Sequence, residues 1–421
     1  MKVLIITYYW PPAGGSGVQR WLKFVKYLQE FGIEPVVYTV DDVNYPKEDN
    51  TLINEVPKNI EVLKKAIWEP TDILFWKKNT PQKSGISNAS TGGVLSFIRG
   101  NFFIPDPKVF WVNSSVKYLQ KYLDANKIDA IISTGPPHSM HLIAQKLHEQ
   151  NNVKWLADFR DPWSDLYYNK DFKQLSFAKN RNKKLEEKVL KNADCVLTVS
   201  NALKTEFAKK AGRVEVITNG FDDEVLTNSI SALDTEFSIS YIGLLPKQSN
   251  PKVLFNVLKE LCLRDEGFKE DLKLNFIGDI SNEVKEDISQ NNLTENSNFV
   301  GYVAHEKAIA YQQKAQVLLL LIPNVEKSKG ILTGKLFEYL TAKRPILAIG
   351  PEDGDLSEIV KETNAGVVVD FDNGKKLSLE ILKLYHQYKK GSLEVNSKNI
   401  ERFHRKELTK DLALLLKSLH S

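Results

Sequence analysis

A chain of 421 residues can bury two full cores, and 42% hydrophobic with 26% charged residues is the balance of a globular protein, not of a disordered or fibrous one. Its 57 basic and 53 acidic residues leave a formal charge of +4, too little to mark a nucleic-acid binder. Cys195 and Cys262 have no CxxC or Cys/His neighbours, which excludes a zinc ribbon and a disulfide framework and fits buried thiols in a reducing compartment. No window reaches the roughly 20 apolar residues of a spanning helix, and MKVLIITYYW lacks signal-peptide anatomy, so a cytoplasmic protein is expected.

Short branched apolar runs alternate with helical patterns along the chain. Residues 3–7, 35–40, 61–65, 129–133, 154–159, 195–199 and 215–218 make a first series of strands, and VQRWLKFVKYLQEFG is typical of the helices between them. Residues 238–242, 272–277, 298–303, 317–322, 345–349 and 366–369 make a second series. Such alternation predicts an α/β protein of two doubly wound parallel-sheet domains, with the boundary in the acid- and turn-rich stretch 219–236. Ligands of such sheets bind at the carboxyl ends of the strands, so the two domains are expected to face a central cleft.

The loops at those strand ends hold the candidate chemistry. After the first strand, YYWPPAGGSGVQR places Gly14, Gly15 and Gly17 ahead of a helix. It imitates a dinucleotide fingerprint but fails it, because seven residues with two prolines separate the strand from Gly15 and Arg20 stands where the third glycine belongs. The loop is either a backbone N–H cradle or a long turn. Residues 66–112 have a Ser/Gly/Asn-rich middle flanked by aromatic and basic residues, read as a mobile insert that either touches a membrane interface or covers the first domain. The basic patches Lys64-Lys65, Lys77-Lys78 and 179–192 have two readings as well, solvated faces or contacts with anionic lipid. STGPPHSMHL offers His138 and His141 without the third ligand a metal site needs. WLADFRDPW sets Asp158, Arg160 and Asp161 at a strand end, where a carboxylate can accept from a sugar hydroxyl and a guanidinium can hold a phosphate or that carboxylate.

The richest stretch comes late. VLLLLI (317–322) reads as a strand buried on both faces, followed by a loop and the helix KLFEYLTA. Thr333 is a plausible N-cap before Gly334, the first turn offers unpaired N–H groups to a phosphate, and Lys335, Glu338, Tyr339 and Ala342 share the face away from Leu336, Phe337 and Leu340. Glu338 then lies about one turn, ~5 Å, beyond a phosphate at the helix start, at the place of a nucleotide's ribose, with Lys335 answering diphosphate charge. An ordinary surface ion pair between Lys335 and Glu338 is the other reading.

The order and spacing of PPAGGSG, CVLTVSNALKTEFAKK, EVITNGFD, ISYIGLLPKQSNP, LNFIGD, NFVGYVAHEKAIAYQQKAQVLLLLI and TGKLFEYLTAKRPILAIG resemble, end to end, the family-4 retaining glycosyltransferases of the GT-B fold. The resemblance implies domains at 1–220 (acceptor side) and 221–400 (donor side), hinged at Asn219 and Gly220, with 401–421 packing back on the first. It implies transfer of a sugar, in the hexosyltransferase class, from a nucleotide-sugar donor to a glycan or lipid-linked acceptor in cell-surface polysaccharide synthesis. Anomeric configuration would be retained, with no metal or other cofactor and no nucleic-acid partner, at the inner face of the membrane. By position it assigns Glu338 to the ribose, and Thr333, Gly334 and the loop Gly14, Gly15 and Gly17 to the donor; Lys335 and Gly243 are read with the donor site, and His138 and Asp158 with the acceptor side. Lys247, Glu338, Asp161 and Arg160 form the catalytic set. The chain departs from the family in three places. Gly330 replaces the first acid of a glutamate pair, leaving Glu326, Lys329 and the backbone of 330–332 to replace it; Arg160-Asp161 stands where many members have His-Asp; and Gly243-Leu244 stands for Gly-Arg. Two alternatives share the architecture, a sugar-nucleotide epimerase and a catalytically silent donor-binding scaffold.

Overall fold

The computed structural model describes residues 1–41, 43, 45, 47–68, 94–164, 174–223 and 232–420. Of the expected insert, 69–93 lies outside the described residues, as do Lys77-Lys78 and residues 224–231 of the expected boundary. The chain divides into one unit made of Met1–Thr218 with Arg405–Ser421, and another made of Asn219–His404.

The first unit runs β1 (Lys2–Ile6), α1 (Ser16–Leu28), β2 (Glu34–Asp41), β3 (Glu61–Ala66), α2 (Val94–Phe102), α3 (Val109–Ala125), β4 (Ala130–Gly135), α4 (Ser139–Asn151), β5 (Lys154–Phe159), α5 (Ser176–Asn192), β6 (Cys195–Thr198), α6 (Asn201–Phe207) and β7 (Val214–Val216). Its strands form one parallel sheet in the order β3-β2-β1-β4-β5-β6-β7. The central strands are buried on both faces, which is why they read as unbroken apolar runs such as VLII and AIIS. On α1 the residues Val18, Trp21, Leu22, Val25 and Leu28 recur at helical spacing and are fully buried. Part of their partner surface arrives from the far end of the chain. A last helix, Arg405–Ser418, places Leu408, Leu412, Leu415 and Leu416 in the same core cluster.

The second unit runs β8 (Phe237–Ile242), α7 (Lys252–Arg264), α8 (Glu266–Asp271), β9 (Leu272–Ile277), α9 (Asn282–Gln290), β10 (Ser297–Gly301), α10 (His305–Lys314), β11 (Val317–Leu321), α11 (Gly334–Thr341), β12 (Ile346–Ile349), α12 (Asp355–Glu362), β13 (Gly366–Val369) and α13 (Gly374–Lys389). Its sheet is also parallel, ordered β10-β9-β8-β11-β12-β13. Every residue of β11 is buried, and burying each leucine of VLLLL contributes about 1.5–3 kcal/mol. Both sheets are doubly wound, and together they have the two-domain GT-B architecture. Each has one point where the strand order reverses, between β1 and β4 and between β8 and β11, which is where doubly wound sheets bind their ligands.

Within the second unit the segments next to its two ends are bonded to each other. Phe221 N donates to Phe403 O at 3.1 Å, and Phe221 and His404 form an isolated parallel bridge.

Candidate functional site

In the second unit the loops at the switch point follow β8 and β11. Gly243, directly after β8, has φ +120° and donates to Ile277 O at 2.7 Å. A Cβ on Gly278, also at φ +120°, would lie 2.5 Å from Gly243 O. The loops after β8 and β9 therefore meet backbone to backbone, a contact that only glycines permit. After β11 the chain passes a short turn, Ser328–Gly330, and enters α11 with Thr333 as N-cap, its Oγ1 accepting from Lys335 N at 3.4 Å. Gly334 is exposed, and a Cβ there would meet nothing within 4 Å, so the first turn of this helix has open space beside it at Gly334.

Lys335 reaches back from α11 to the β8 loop. Its Nζ lies 2.5 Å from the Tyr241 hydroxyl, 4.2 Å from the centre of the Tyr241 ring and 3.5 Å from Leu244 O, and its chain covers Gly243 so closely that a Cβ there would be 2.6 Å from Lys335 Cε. Burial lowers the Lys335 pKa to about 8 against the opposing pull of the Glu338 carboxylate. Glu338 turns toward α10 instead, accepting from Gln312 Nε2 at 3.0 Å and facing His305 Nε2 at 3.4 Å. His305 and Gln312 are two turns apart on one face of HEKAIAYQQK, and that spacing is their only trace in the sequence.

Other expected residues of this unit fall differently. Tyr339 does not share the open face with Lys335 and Glu338. Its ring is 1% exposed and its hydroxyl accepts from Ile242 N at 3.0 Å, because an aromatic body fills the helix–sheet gap while its polar tip satisfies the end of β8. Lys247 is exposed in a turn after β8, with Nζ 3.4 Å from Glu283, and lines a cleft of about 320 Å3 with Asn250, Lys252, Glu286 and Asp287. Lys329 pairs with Asp353 at 2.5 Å, while Glu326 is exposed and Gly330 partly so. Cys262 of this unit is only partly buried, whereas Cys195, on β6 of the first unit, is buried.

In the first unit Arg160 gathers the switch-point loops. Its guanidinium donates to Gly17 O at 2.9 Å, Gly135 O at 3.1 Å and Pro136 O at 3.1 Å, so its donors fasten backbone and do not hold the neighbouring Asp161. Gly14 N donates to Lys47 O at 2.9 Å, and Gly15, at φ +90°, precedes α1. Asp161 is half-buried and receives no hydrogen bond among the described residues; burial, ahead of the opposing Arg160 charge, raises its pKa.

His138 and His141 lie in the interior. His138 stacks on Trp163 at 4.9 Å and 4°, His141 on Phe159 at 4.4 Å and 8°, and His141 Nδ1 is 2.8 Å from Ser133 Oγ. Burial, with the charge of Arg160, depresses both imidazoles, His141 to about 3, so both are neutral. A Cβ on Gly135 would lie 2.6 Å from His141 Nε2 and 2.8 Å from His138 Nδ1. Asp158, expected on the acceptor side, is fully buried. It accepts from Arg20 Nε and Nη2, both at 3.2 Å, from Trp21 Nε1 at 2.7 Å and from Thr134 Oγ1 at 2.8 Å, so its oxygens serve the core. Among the described residues, Asp222, Asp223 and His404 bring three metal-type donor atoms within 4.8 Å, with His404 Nε2 3.0 Å from Asp223 Oδ1.

Comparison with known proteins covers most of the chain. The profile described as Glycosyltransferase Family 4 matches residues 15–225, and that described as Glycosyl transferases group 1 matches residues 223–401. No curated protein matches it in sequence. Similar solved structures include TarM, 12% identical with TM-score 0.60, covering 100% of this chain and 97% of that one. Another is Anabaena Alr3699/HepE in complex with UDP-glucose, 13% identical with TM-score 0.58, covering 100% and 97%. UDP-GlcNAc 2-epimerase from Methanocaldococcus jannaschii is 12% identical with TM-score 0.53, covering 99% and 100%. At these identities the likeness is one of fold.

Proposed function

The chain belongs to glycosyltransferase family 4, and from that premise we propose that it moves a hexosyl group from a nucleoside-diphosphate sugar to a glycan or lipid-linked acceptor, with retention and without a metal or other cofactor. The observation that carries the donor assignment is the group at the β8/β11 switch point: the open helix start at Gly334, the Lys335 ammonium on the β8 loop, and Glu338 one turn along. Diphosphate oxygens accept from the first N–H groups of α11 and from Lys335, and Glu338 accepts from the ribose hydroxyls in exchange for Gln312. HepE, a protein of the same fold, was solved with UDP-glucose, which supports a sugar nucleotide as donor.

In the reaction the bond from the anomeric carbon to the donor phosphate breaks as the acceptor oxygen bonds to that carbon from the same side. The acceptor proton passes to the leaving phosphate oxygen. What the protein supplies is stabilisation of charge growing on the leaving group, through helix-start N–H groups, Lys335 and Lys247. In the first unit Asp161 accepts from a sugar hydroxyl, and Arg160 positions the Gly14–Gly17 loop and the His138 segment. Cell-surface polysaccharide synthesis at the inner membrane face completes the reading.

Calorimetric titration with a panel of nucleoside diphosphates tests the donor site. One of them is expected to bind in the micromolar range, and Glu338→Ala to weaken it by roughly 10- to 100-fold, the worth of charged hydrogen bonds to the ribose. Unchanged affinity in the variant sinks the site. Turnover distinguishes the alternatives, since an epimerase forms product without acceptor and a scaffold forms none with a full acceptor panel.

A further inference from the structure

Two segments that are 74 residues apart in sequence are joined on the surface of the first unit. Asn101, fully buried at the end of α2, accepts through Oδ1 from Leu175 N at 2.6 Å, and Gln174 Nε2 donates to Gly100 O at 3.1 Å. This seam brings Phe102 against Phe177, with ring centres 6.0 Å apart. Next in the chain, Phe103 meets Phe110 edge-on at 5.4 Å, and Phe110 meets Trp68 at 5.8 Å. The result is a ridge of two aromatic groups, Phe102–Phe177 and Phe103–Phe110–Trp68, linked through consecutive residues of the chain and open to solvent, with Phe102 62%, Trp68 57%, Phe177 50% and Phe110 41% exposed. Such a grouping of exposed rings is unusual on a surface that meets only water.

The ridge runs into a cationic helix. Six basic and two acidic residues give α5 a net +4, as much as the whole chain. Phe177, Arg181 and Lys184 stand at i, i+4 and i+7, so the last ring of the ridge and two exposed cations share one stripe. Neither Arg181 nor Lys184 forms an ion pair among the described residues, whereas Lys188, next on the stripe, pairs with Glu149 at 3.0 Å. Rings at interfacial depth beside unpaired cations are complementary to a bilayer whose surface is anionic. The rings suit the headgroup boundary and the cations suit lipid phosphate.

We propose that the ridge Trp68–Phe110–Phe103–Phe102–Phe177, with Arg181 and Lys184, is the surface by which this protein lies on an anionic lipid membrane. For its purpose the inference rests on the reading of a lipid-linked acceptor; its geometry does not.

The test is flotation of the full chain, without substrates, on phosphatidylcholine vesicles with and without roughly one third phosphatidylglycerol, at about 0.05 and 0.5 M salt. Binding to anionic vesicles is expected to be roughly tenfold or more tighter than to neutral ones and to weaken with salt. Phe102→Ser/Phe177→Ser is expected to abolish flotation. Arg181→Glu/Lys184→Glu is expected to leave only the salt-insensitive remainder, both variants melting within a few degrees of the wild type. Equal binding to both vesicle types, no flotation, or unchanged binding by the charge-reversed variant overturns the proposal. So does a dimer in light scattering that the serine variant turns into monomer, because the ridge would then belong to a second copy. Nucleotide titration of the same sample reports the transferase reading separately, and failure of either leaves the other measurable.

Discussion

Among the described residues, Lys335 has no carboxylate within ion-pair distance. Its ammonium is held by a phenol and a carbonyl, and burial brings its pKa down to about 8. Below that pH the charge is present; it is lost as pH rises through 8, where an ordinary lysine keeps it. Nucleoside diphosphate affinity is therefore expected to fall roughly tenfold or more between pH 7 and 9, and to stay flat in Lys335→Arg, as read by titration at each pH. Stability has the opposite sign. The folded state sheds this proton near pH 8 and the unfolded chain near 10.5, so the contribution of this group to stability increases with pH across that window. Gly243 is the other sensitive position. An alanine there takes on φ +120° and a 2.6 Å contact with Lys335 Cε, so Gly243→Ala should cost about 1–3 kcal/mol in urea unfolding and displace the amine from its place.

At the scale of elements, the strands were legible because a segment buried on both faces has no room for polar alternation; β5, β9 and β13 have the very bounds read from the sequence. What the sequence hid is whatever depends on a distant partner. The acids of DFRDPW look alike in sequence, yet Asp158 is an interior anchor because Arg20, 138 residues earlier, fills the third glycine place of the false fingerprint and reaches it. Tyr339 and Glu338 both fall within a turn of Lys335 on the helix, at i+4 and i+3, and the position of Ile242 N decides that Tyr339 turns in. His305 and Gln312 gave no signal beyond their spacing, since their role depends on Glu338 arriving from another helix. The Arg20–Asp158 pair yields its own prediction. Both side chains are essentially without solvent, so Asp158→Ala leaves a buried guanidinium uncompensated and should cost about 3–5 kcal/mol in equilibrium unfolding.

At the scale of the molecule, two sheets of the same winding carry different kinds of groups at their switch points. The second has a cation, an open helix start and a carboxylate; the first has backbone held by Arg160, with a half-buried acid beside it. The helix Arg405–Ser418 belongs to the core of the first unit, although the whole second unit precedes it in the chain. Removing residues 405–421 takes away five buried leucines worth about 1.5–3 kcal/mol each, a sum of the same order as the whole stability of a domain. A chain cut after His404 should therefore lose the cooperative unfolding transition of its first unit while the second still melts, as calorimetry of the truncated protein would show.

That arrangement also dictates a schedule for synthesis. The second unit is in effect an insertion, its start and finish clasped at Phe221 and Phe403, and can fold as soon as it leaves the ribosome. The first, translated earlier, keeps Val18, Trp21 and Leu22 short of their last neighbours until the closing helix emerges. The earlier-made unit is the later one to mature, and its unfinished core is the surface a chaperone would meet.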